Sequence, residues 1–253
     1  MQSTYRLEEN WALRAAIRTA NRINRPLVIH QGLDPTYPHA ADRHHTFILQ
    51  GARETARRAD ALGLHYQFVL RRRRDDDRRV LDRLAARAYV VFTDLFPTAG
   101  IRERSARFAD RVTCRVLSVD SVCTVPIGVF EKAEYAARTI RRKIARLIDH
   151  AIELVDKDVP SARVSDALRT SLLKMLETHP LPLHDMSDAD IAREVALCEI
   201  DHSVPAVAMK DGADEAEHRF MRFVAEELPD YATQRNEASD GKASSCTPSS
   251  AAA

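Results

Sequence analysis

Acidic and imidazole side chains cluster where a proline-rich loop ends. Asp42, His44 and His45 stand at the start of a predicted helix, directly after the loop that contains Pro35 and Pro38. Carboxylates and imidazoles are common metal ligands, but no third ligand stands at a fitting spacing. We therefore expect Asp42 to cap the helix and the two histidines to be residues of its first turn, with no metal bound.

Two other charged features invite a chemical interpretation. Residues 71–74 are four arginines, and residues 75–77 are three aspartates. A phosphate-binding patch is conceivable, but the acids cancel most of the basic charge, so a solvated loop is the favoured interpretation. Asp94 ends an apolar run, where it would either face a ligand cleft or cap a turn. We favour the cap.

Several site classes lack support in the sequence. No G-x-G-x-x-G motif is present, so a dinucleotide held by a glycine fingerprint is not indicated. The four cysteines, Cys114, Cys123, Cys198 and Cys246, form no C-x-x-C pair, which fits a reducing compartment. No serine, cysteine or histidine triad can be assembled.

The bulk charge gives no reason to expect nucleic acid binding. The 253-residue chain has a net charge of +1, so any contact with DNA has to come from a local patch. No apolar run approaches the roughly 20 residues that a membrane span needs. We expect a soluble, cytoplasmic protein.

Helices and strands alternate in the first half of the chain, which would position these side chains. The hydrophobic patterns predict helices at 7–24, 42–62, 80–85 and 101–111, and strands at 27–30, 65–70, 88–93 and 115–120. This order predicts an α/β fold with a Rossmann-like, doubly wound parallel sheet, in which the apolar strand 88–93 is central. Such a sheet normally opens with a strand, but only six residues precede the first helix. We therefore expect the first strand to be missing.

Beyond residue 130 the patterns are helical only. Amphipathic stripes cover 133–155 and 163–176, and prolines mark a linker near 178–182. We divide the chain into an α/β domain at 1–130, a helical linker at 131–180, the start of a helical domain at 181–237 and a small-residue tail at 238–253. The tail is expected to be disordered.

Several segments resemble one enzyme family. The run QGLDPTYPHAADRHHTFIL resembles the G-L-x-x-x-Y-P-x-A-x-D-R-x-H-x-F run of DNA photolyases, particularly class II enzymes. Five further segments are similar to that family: Met1–Leu13, Thr93–Pro97, Val119–Pro126, Ile200–Pro205 and Gly212–Asn236. In the last of these, Asp211 replaces the first glycine of the family pattern.

The resemblance implies a set of site residues and cofactors. It implies that 1–130 is an antenna domain for a deazaflavin or folate pigment, and that 181–237 begins a helical FAD-binding domain. Tyr231 would border the flavin, and Arg235 would lie near DNA. Ser244 would belong to a segment that weakly matches the family element that holds the flavin phosphates.

The function implied is light-driven repair of pyrimidine dimers in damaged DNA with reduced FAD. We expect this chain to be truncated at both ends, to lack most of the flavin site and to be inactive alone. One alternative is a non-catalytic α/β module that binds an antenna pigment or a nucleotide. Another is a helical protein that binds a partner through 131–176. The photoproduct, the pigment and the oligomeric state stay open.

Overall fold

The chain has the α/β, Rossmann-like architecture that the sequence predicts. The computed structural model describes residues 1–96, 100–152, 158–176 and 180–234. In chain order the elements are α1 (Trp11–Arg22), β1 (Val28–Leu33), α2 (Asp42–Ala61), β2 (His65–Leu70), α3 (Val80–Ala85), β3 (Val90–Asp94), α4 (Ile101–Arg111), β4 (Arg115–Val119), α5 (Ala137–Ala151), α6 (Asp166–Leu176), α7 (Asp188–Ala196), α8 (Ala213–Arg222) and α9 (Leu228–Gln234).

Local sequence signals explain where these helices begin and end. The Asn10 side chain accepts the Leu13 N–H at 2.9 Å and caps α1. Gly63, with φ of 68°, follows the end of α2, because glycine adopts this left-handed conformation without steric cost. The predictions missed α7, although Ser187 and Asp190 form a capping box at its start.

The strands form two pairs. β1 pairs with β2, and β3 pairs with β4 in parallel, with Val90 opposite Arg115 and Asp94 opposite Val119. The prediction that the apolar strand 88–93 is central is wrong for the described residues, because β3 pairs there with β4 alone, and in β3 only Asp94 is buried. Within the described ranges β3 has one neighbouring strand, so its side chains are only partly covered.

The chain divides into two units, each assembled from separate stretches. The first comprises 1–32, 58–69 and 77–181. In it, α1 packs against β3 and β4, and its buried Leu13 and Ile17 join Ile29, Ala59 and Leu64 in one apolar cluster. A second cluster joins Val69, Val80 and Leu176, where α3 meets α6.

The second unit comprises 33–57, 70–76 and 182–253, of which the structure describes residues up to 234. A backbone bridge joins Ala41 to Asp201, and the Asp42 N–H donates to the Asp201 carbonyl at 3.3 Å. Buried apolar side chains from α2 and α7, including Leu49 and Ile191, belong to this unit. The start of α2 is therefore tied to residues that lie far along the chain.

The described helices include none that combines the length and the apolar character needed to cross a membrane.

Candidate functional site

Asp94, at the carboxyl end of β3, lies in the first unit with its side chain buried. Its Oδ2 atom accepts three successive backbone N–H groups, from Gln2 at 3.1 Å, Ser3 at 2.8 Å and Thr4 at 3.0 Å. Only 3% of the residue is exposed. A carboxylate saturated with backbone donors holds chain segments together and is not placed to act as a general base. The expectation that Asp94 binds backbone N–H groups rather than a ligand agrees with this geometry, although the segment that it holds is distant in sequence.

A layer of polar side chains lies on β1 and β2. Tyr66 donates to Gln31 Oε1 at 2.8 Å, and Gln67 Nε2 lies 3.3 Å from His30 Nδ1. Burial, and then the nearby Met1 amine, lower the pKa of His30 to about 3. Burial also raises the pKa of Tyr66. The layer is therefore neutral at neutral pH, and its members satisfy one another.

The amine of Met1 approaches the same layer. It donates to the His30 carbonyl at 2.7 Å. Burial lowers the pKa of this amine, and the negative charge of Asp94 acts in the opposite direction. The sequence signal for this arrangement was the presence of polar residues on the predicted strands 27–30 and 65–70.

In the second unit, the arginine run folds back on itself. Arg71 is only 7% exposed, its guanidinium pairs with Asp34, and it donates to the carbonyls of Arg73, Arg74 and Asp76. The Asp76 carboxylate accepts the N–H groups of Arg72 and Arg73 at 2.8 and 2.9 Å. The prediction of a solvated loop is wrong for Arg71, because the turn brings carbonyl and carboxylate oxygens around its guanidinium.

These contacts shift the pKa values of both carboxyl groups. Burial alone would raise the pKa of Asp34, but hydrogen bonds from Thr36 and the charge of Arg71 outweigh it, so the pKa is lowered. The backbone N–H of Arg73 is the largest cause of the lowered pKa of Asp76. Arg71 is thus fully engaged by the chain and is not available to a phosphate.

Tyr37 and His45 form an aromatic pair at the start of α2. Their rings stack with centroids 5.7 Å apart and an interplanar angle of 11°, and Tyr37 Oη lies 3.2 Å from His45 Nδ1. His45 is fully buried, and burial is the largest cause that lowers its pKa to about 4. Its Nε2 atom has no hydrogen-bond partner among the described residues. His45 is thus a neutral, buried imidazole with one nitrogen whose hydrogen-bonding capacity the described residues leave unused.

Other residues that carry the resemblance support turns. Asp42 is itself the first residue of α2 and lies 2.7 Å from the His202 ring, so its prediction as the helix cap is wrong. This contact raises the pKa of His202. Asp120 accepts the N–H groups of Cys123 at 3.0 Å and Ile127 at 2.8 Å. The partner of Asp42 comes from a distant segment, so local pattern alone could not identify it, whereas the partners of Asp120 are close to it in sequence.

The segment expected to begin a flavin site is α8 and α9, joined by a π-helical turn at Phe223–Glu227. Tyr231 on α9 is half-buried and lies edge-on to Phe223, with centroids 5.4 Å apart. Arg235 and Ser244 lie outside the described residues. Of the three predicted site residues, Tyr231 is therefore the one that lies within the described residues.

Asp211, the residue that departs from the family pattern, lies before α8. Burial is the main cause that raises its pKa to about 6, and the carboxylate of Glu54 adds to the shift. A Cβ on Gly51 would lie only 2.7 Å from Asp211 Cγ, so the glycine in α2 makes room for this side chain. Among the described residues, no group of three or more histidine, cysteine, aspartate or glutamate side chains is arranged to hold a metal ion.

Comparison with known proteins defines the family. The family described as DNA photolyase matches residues 1–162, which is more than half of the chain. The chain therefore belongs to the DNA photolyase family. The Rossmann-like fold and the motif residues described above lie mainly within this matched range.

Curated relatives give the same result along nearly all of the sequence. The chain is 27% identical over 238 residues to a deoxyribodipyrimidine photo-lyase of Methanothermobacter thermautotrophicus, covering 94% of this chain and 48% of that protein. It is 27% identical to the protein of the same name from Arabidopsis thaliana, and the match covers 91% of this chain and 45% of that protein. It is 26% identical to that from Potorous tridactylus, and this match covers 98% of this chain and 44% of that protein. The chain thus spans about half the length of the curated relatives that it matches.

Proposed function

We propose that this chain provides the N-terminal α/β part of a photolyase that uses light and reduced FAD to split pyrimidine dimers in damaged DNA. The observation that carries the proposal is the family match over residues 1–162, together with the α/β fold of the same residues. The α/β part would hold an antenna pigment of the deazaflavin or folate type.

The FAD site would begin at α9. When bound, reduced FAD supplies an electron to a dimer that has been flipped out of the duplex. Tyr231 presents a half-buried aromatic ring suited to pack against a flavin. Roles for Ser244 at the flavin phosphates and for Arg235 near DNA stay predictions, and we derive no catalytic step through the flavin.

The chain by itself should not repair DNA, because it spans only 44–48% of the curated relatives. We expect the purified 253-residue protein to contain no stoichiometric flavin and to split no dimers in an ultraviolet-irradiated oligothymidine under blue light. Absorbance spectra and the recovery of thymine absorbance measure both. Stoichiometric flavin with light-dependent repair would show that the chain is sufficient.

A chimera tests the family function of the matched segment. Residues 1–162 would replace the corresponding segment of the Methanothermobacter relative. We expect the chimera to bind FAD and to repair dimers in light but not in the dark. A chimera that folds and holds FAD yet repairs nothing would contradict the proposed contribution of this segment.

A second candidate function is a non-catalytic module that binds a pigment or a nucleotide. The buried His45 with its unsatisfied Nε2 beside Tyr37 favours it. Titration with FMN, a folate and a deazaflavin would be followed by the fluorescence of Trp11, the single tryptophan. We expect His45→Gln to weaken binding while His39→Asn, at an exposed position, leaves it unchanged. Equal affinity in both variants would exclude His45 as a ligand contact.

A further inference from the structure

Helix α5 carries its basic residues on one face. Its side chains repeat with the helical period, so residues three, four and eight positions apart share a face. Four exposed arginines follow this spacing and are called here the α5 basic face: Arg138, Arg141, Arg142 and Arg146. The other face is apolar and half-buried, and it consists of Ile140, Ile144, Leu147 and Ile148. The chain has a net charge of only +1, so this is a local concentration of positive charge.

The arginines of the α5 basic face have no carboxylate partners within the described part of the chain. Asp149 is the single acidic residue of α5 and forms no ion pair with them there. The neighbouring Lys143, on the flank of the helix, is paired with Glu134, and elsewhere Arg111 pairs with Asp82 at 2.8 Å. The α5 basic face therefore forms no ion pair with the described residues, in contrast to these other basic residues.

The length of the face fits the spacing of nucleic acid phosphates. At 1.5 Å per residue, Arg138 and Arg146 lie about 12 Å apart along the helix axis. One strand of a duplex presents a phosphate every 3.4 Å or so along its axis, so the face spans roughly three to four phosphates. Guanidinium groups bind phosphate oxygens with two parallel hydrogen bonds, which favours arginine at such contacts.

The other face of α5 is already partly covered by the chain. Leu147 lines a groove of about 340 Å³ together with Val129 and Phe130, and Lys143 and Arg146 border the same groove. A helix that lies on a membrane needs its apolar face open to insert into lipid. None of the four aliphatic side chains of α5 is exposed. The arrangement therefore favours an anionic polymer over a lipid surface.

We propose that the α5 basic face binds the phosphate backbone of duplex DNA without sequence preference. The choice of DNA among polyanions rests on the proposed function. The site itself rests on four exposed arginines that form no ion pair with any residue that the structure describes.

The test measures affinity for an undamaged, fluorescein-labelled duplex in the dark. Anisotropy titrations would be run between about 50 and 200 mM NaCl, where phosphate contacts give a steep salt dependence. Replacing three arginines together, Arg138→Gln, Arg142→Gln and Arg146→Gln, should reduce the salt slope by about 3 and weaken binding at least about tenfold at low salt. Neither light nor flavin is needed, so this result is independent of whether the protein repairs dimers.

Helix α4 offers a matched control. Arg102, Arg104 and Arg107 are also exposed, and glutamine in their place removes the same charge while keeping helix propensity. We expect this triple variant to change the salt slope by less than about 1. Lysine at the three α5 positions should largely restore binding, because a lysine also carries a positive charge to the phosphate.

Three results would overturn the proposal. The first is an equal loss of affinity in the α4 and α5 variants, which would show an effect of net charge alone. The second is an unchanged salt slope in an α5 variant whose circular dichroism shows a folded protein. The third is α5-dependent sedimentation with phosphatidylserine vesicles without any α5-dependent binding of the duplex, which would indicate a membrane surface.

Discussion

Two arginine-rich segments of this protein use their charge in opposite ways. Residues 71–74 stand next to three aspartates and fold into a turn, where Arg71 is surrounded by Asp34 and three carbonyl oxygens. The four arginines of the α5 basic face are spaced along a helix and have no carboxylate partner in the described ranges. Segments of similar composition therefore differ: in one, a buried arginine holds a turn together, and in the other, the arginines are exposed and form no ion pair with the described residues.

The comparison shows that backbone geometry decides what an arginine can contact. A turn brings carbonyl oxygens of neighbouring residues toward one guanidinium, whereas a helix uses its carbonyls in its own hydrogen bonds. A helical arginine therefore finds its partner in another segment or another molecule, as Arg57 on α2 does at the His184 carbonyl, 2.9 Å away. Variants of each segment test this distinction.

The largest effect is expected at Arg71. Arg71→Met keeps the apolar stem but leaves the Asp34 carboxylate and three carbonyls without their donor. We expect the free energy of unfolding to fall by about 2–3 kcal/mol, the range for a charged hydrogen-bond network that is partly buried. Urea denaturation measures it. In the same turn, Arg73→Gln, at a side chain that is 70% exposed, should change stability by less than about 0.5 kcal/mol. Equal effects of the two variants would remove the distinction between Arg71 and its neighbours.

Asp211 is a partly buried carboxyl group whose pKa is raised by burial and by the neighbouring Glu54 carboxylate. Its substitution should therefore stabilise the fold, whereas that of Arg71 should destabilise it. Its pKa of about 6 lies above the value in the unfolded chain, so the folded state binds more protons between about pH 4 and 6. Stability is therefore lost as the pH rises through 6. We expect Asp211→Asn to raise the free energy of unfolding by about 1–2 kcal/mol at pH 7.5 and by much less at pH 4.5.

Denaturant midpoints at the two pH values measure this difference. Asp214→Asn, at an exposed neighbour, is the control and should not show the same pH dependence. A variant at Asp211 that is destabilised at both pH values would contradict the assignment.

Substitution of Asp76 tests the contribution of a carboxylate to the same turn. Its pKa lies below the unfolded value of about 3.9, so its contribution to stability is present above that pH and is lost as the pH falls through the folded value. We expect Asp76→Asn to cost at most about 1 kcal/mol at pH 7, because solvent screens this partly exposed group. The loss of stability between pH 5 and pH 3 should be smaller in the variant than in the wild type. Identical acid profiles, with Asp75→Asn as the control, would contradict this.

The smallest effect on folding is expected in α5. Arg142→Gln removes an exposed charge with no carboxylate partner in the described structure, so the free energy of unfolding should change by less than about 0.5 kcal/mol. The same substitution should lower the salt slope of DNA binding by about 1. Thermal unfolding and anisotropy measure the two effects. A loss of stability similar to that of Arg71→Met would make the two regions equivalent.

The sequence by itself determined the elements whose signals are local. Apolar periodicity and turn residues predicted α2 and α4 nearly to the residue, and Gly63 marked a helix end through its left-handed conformation. The spacing of the α5 arginines was also visible. The motifs similar to DNA photolyases identified the family that the comparison then confirmed. The predicted roles of Tyr231, Arg235 and Ser244 stay predictions.

Only the tertiary structure decided which polar groups found partners. The partial burial of β3, the pairing of Asp42 with His202 and the three N–H donors of Asp94 all depend on segments that are distant in sequence. The same holds for the lack of ion pairs at the α5 basic face within the described residues. The period of the apolar residues shows which face of a segment packs against a core. Hydrogen bonds and ion pairs, in contrast, need two groups to lie within a few ångströms of each other, and the positions of distant segments decide this.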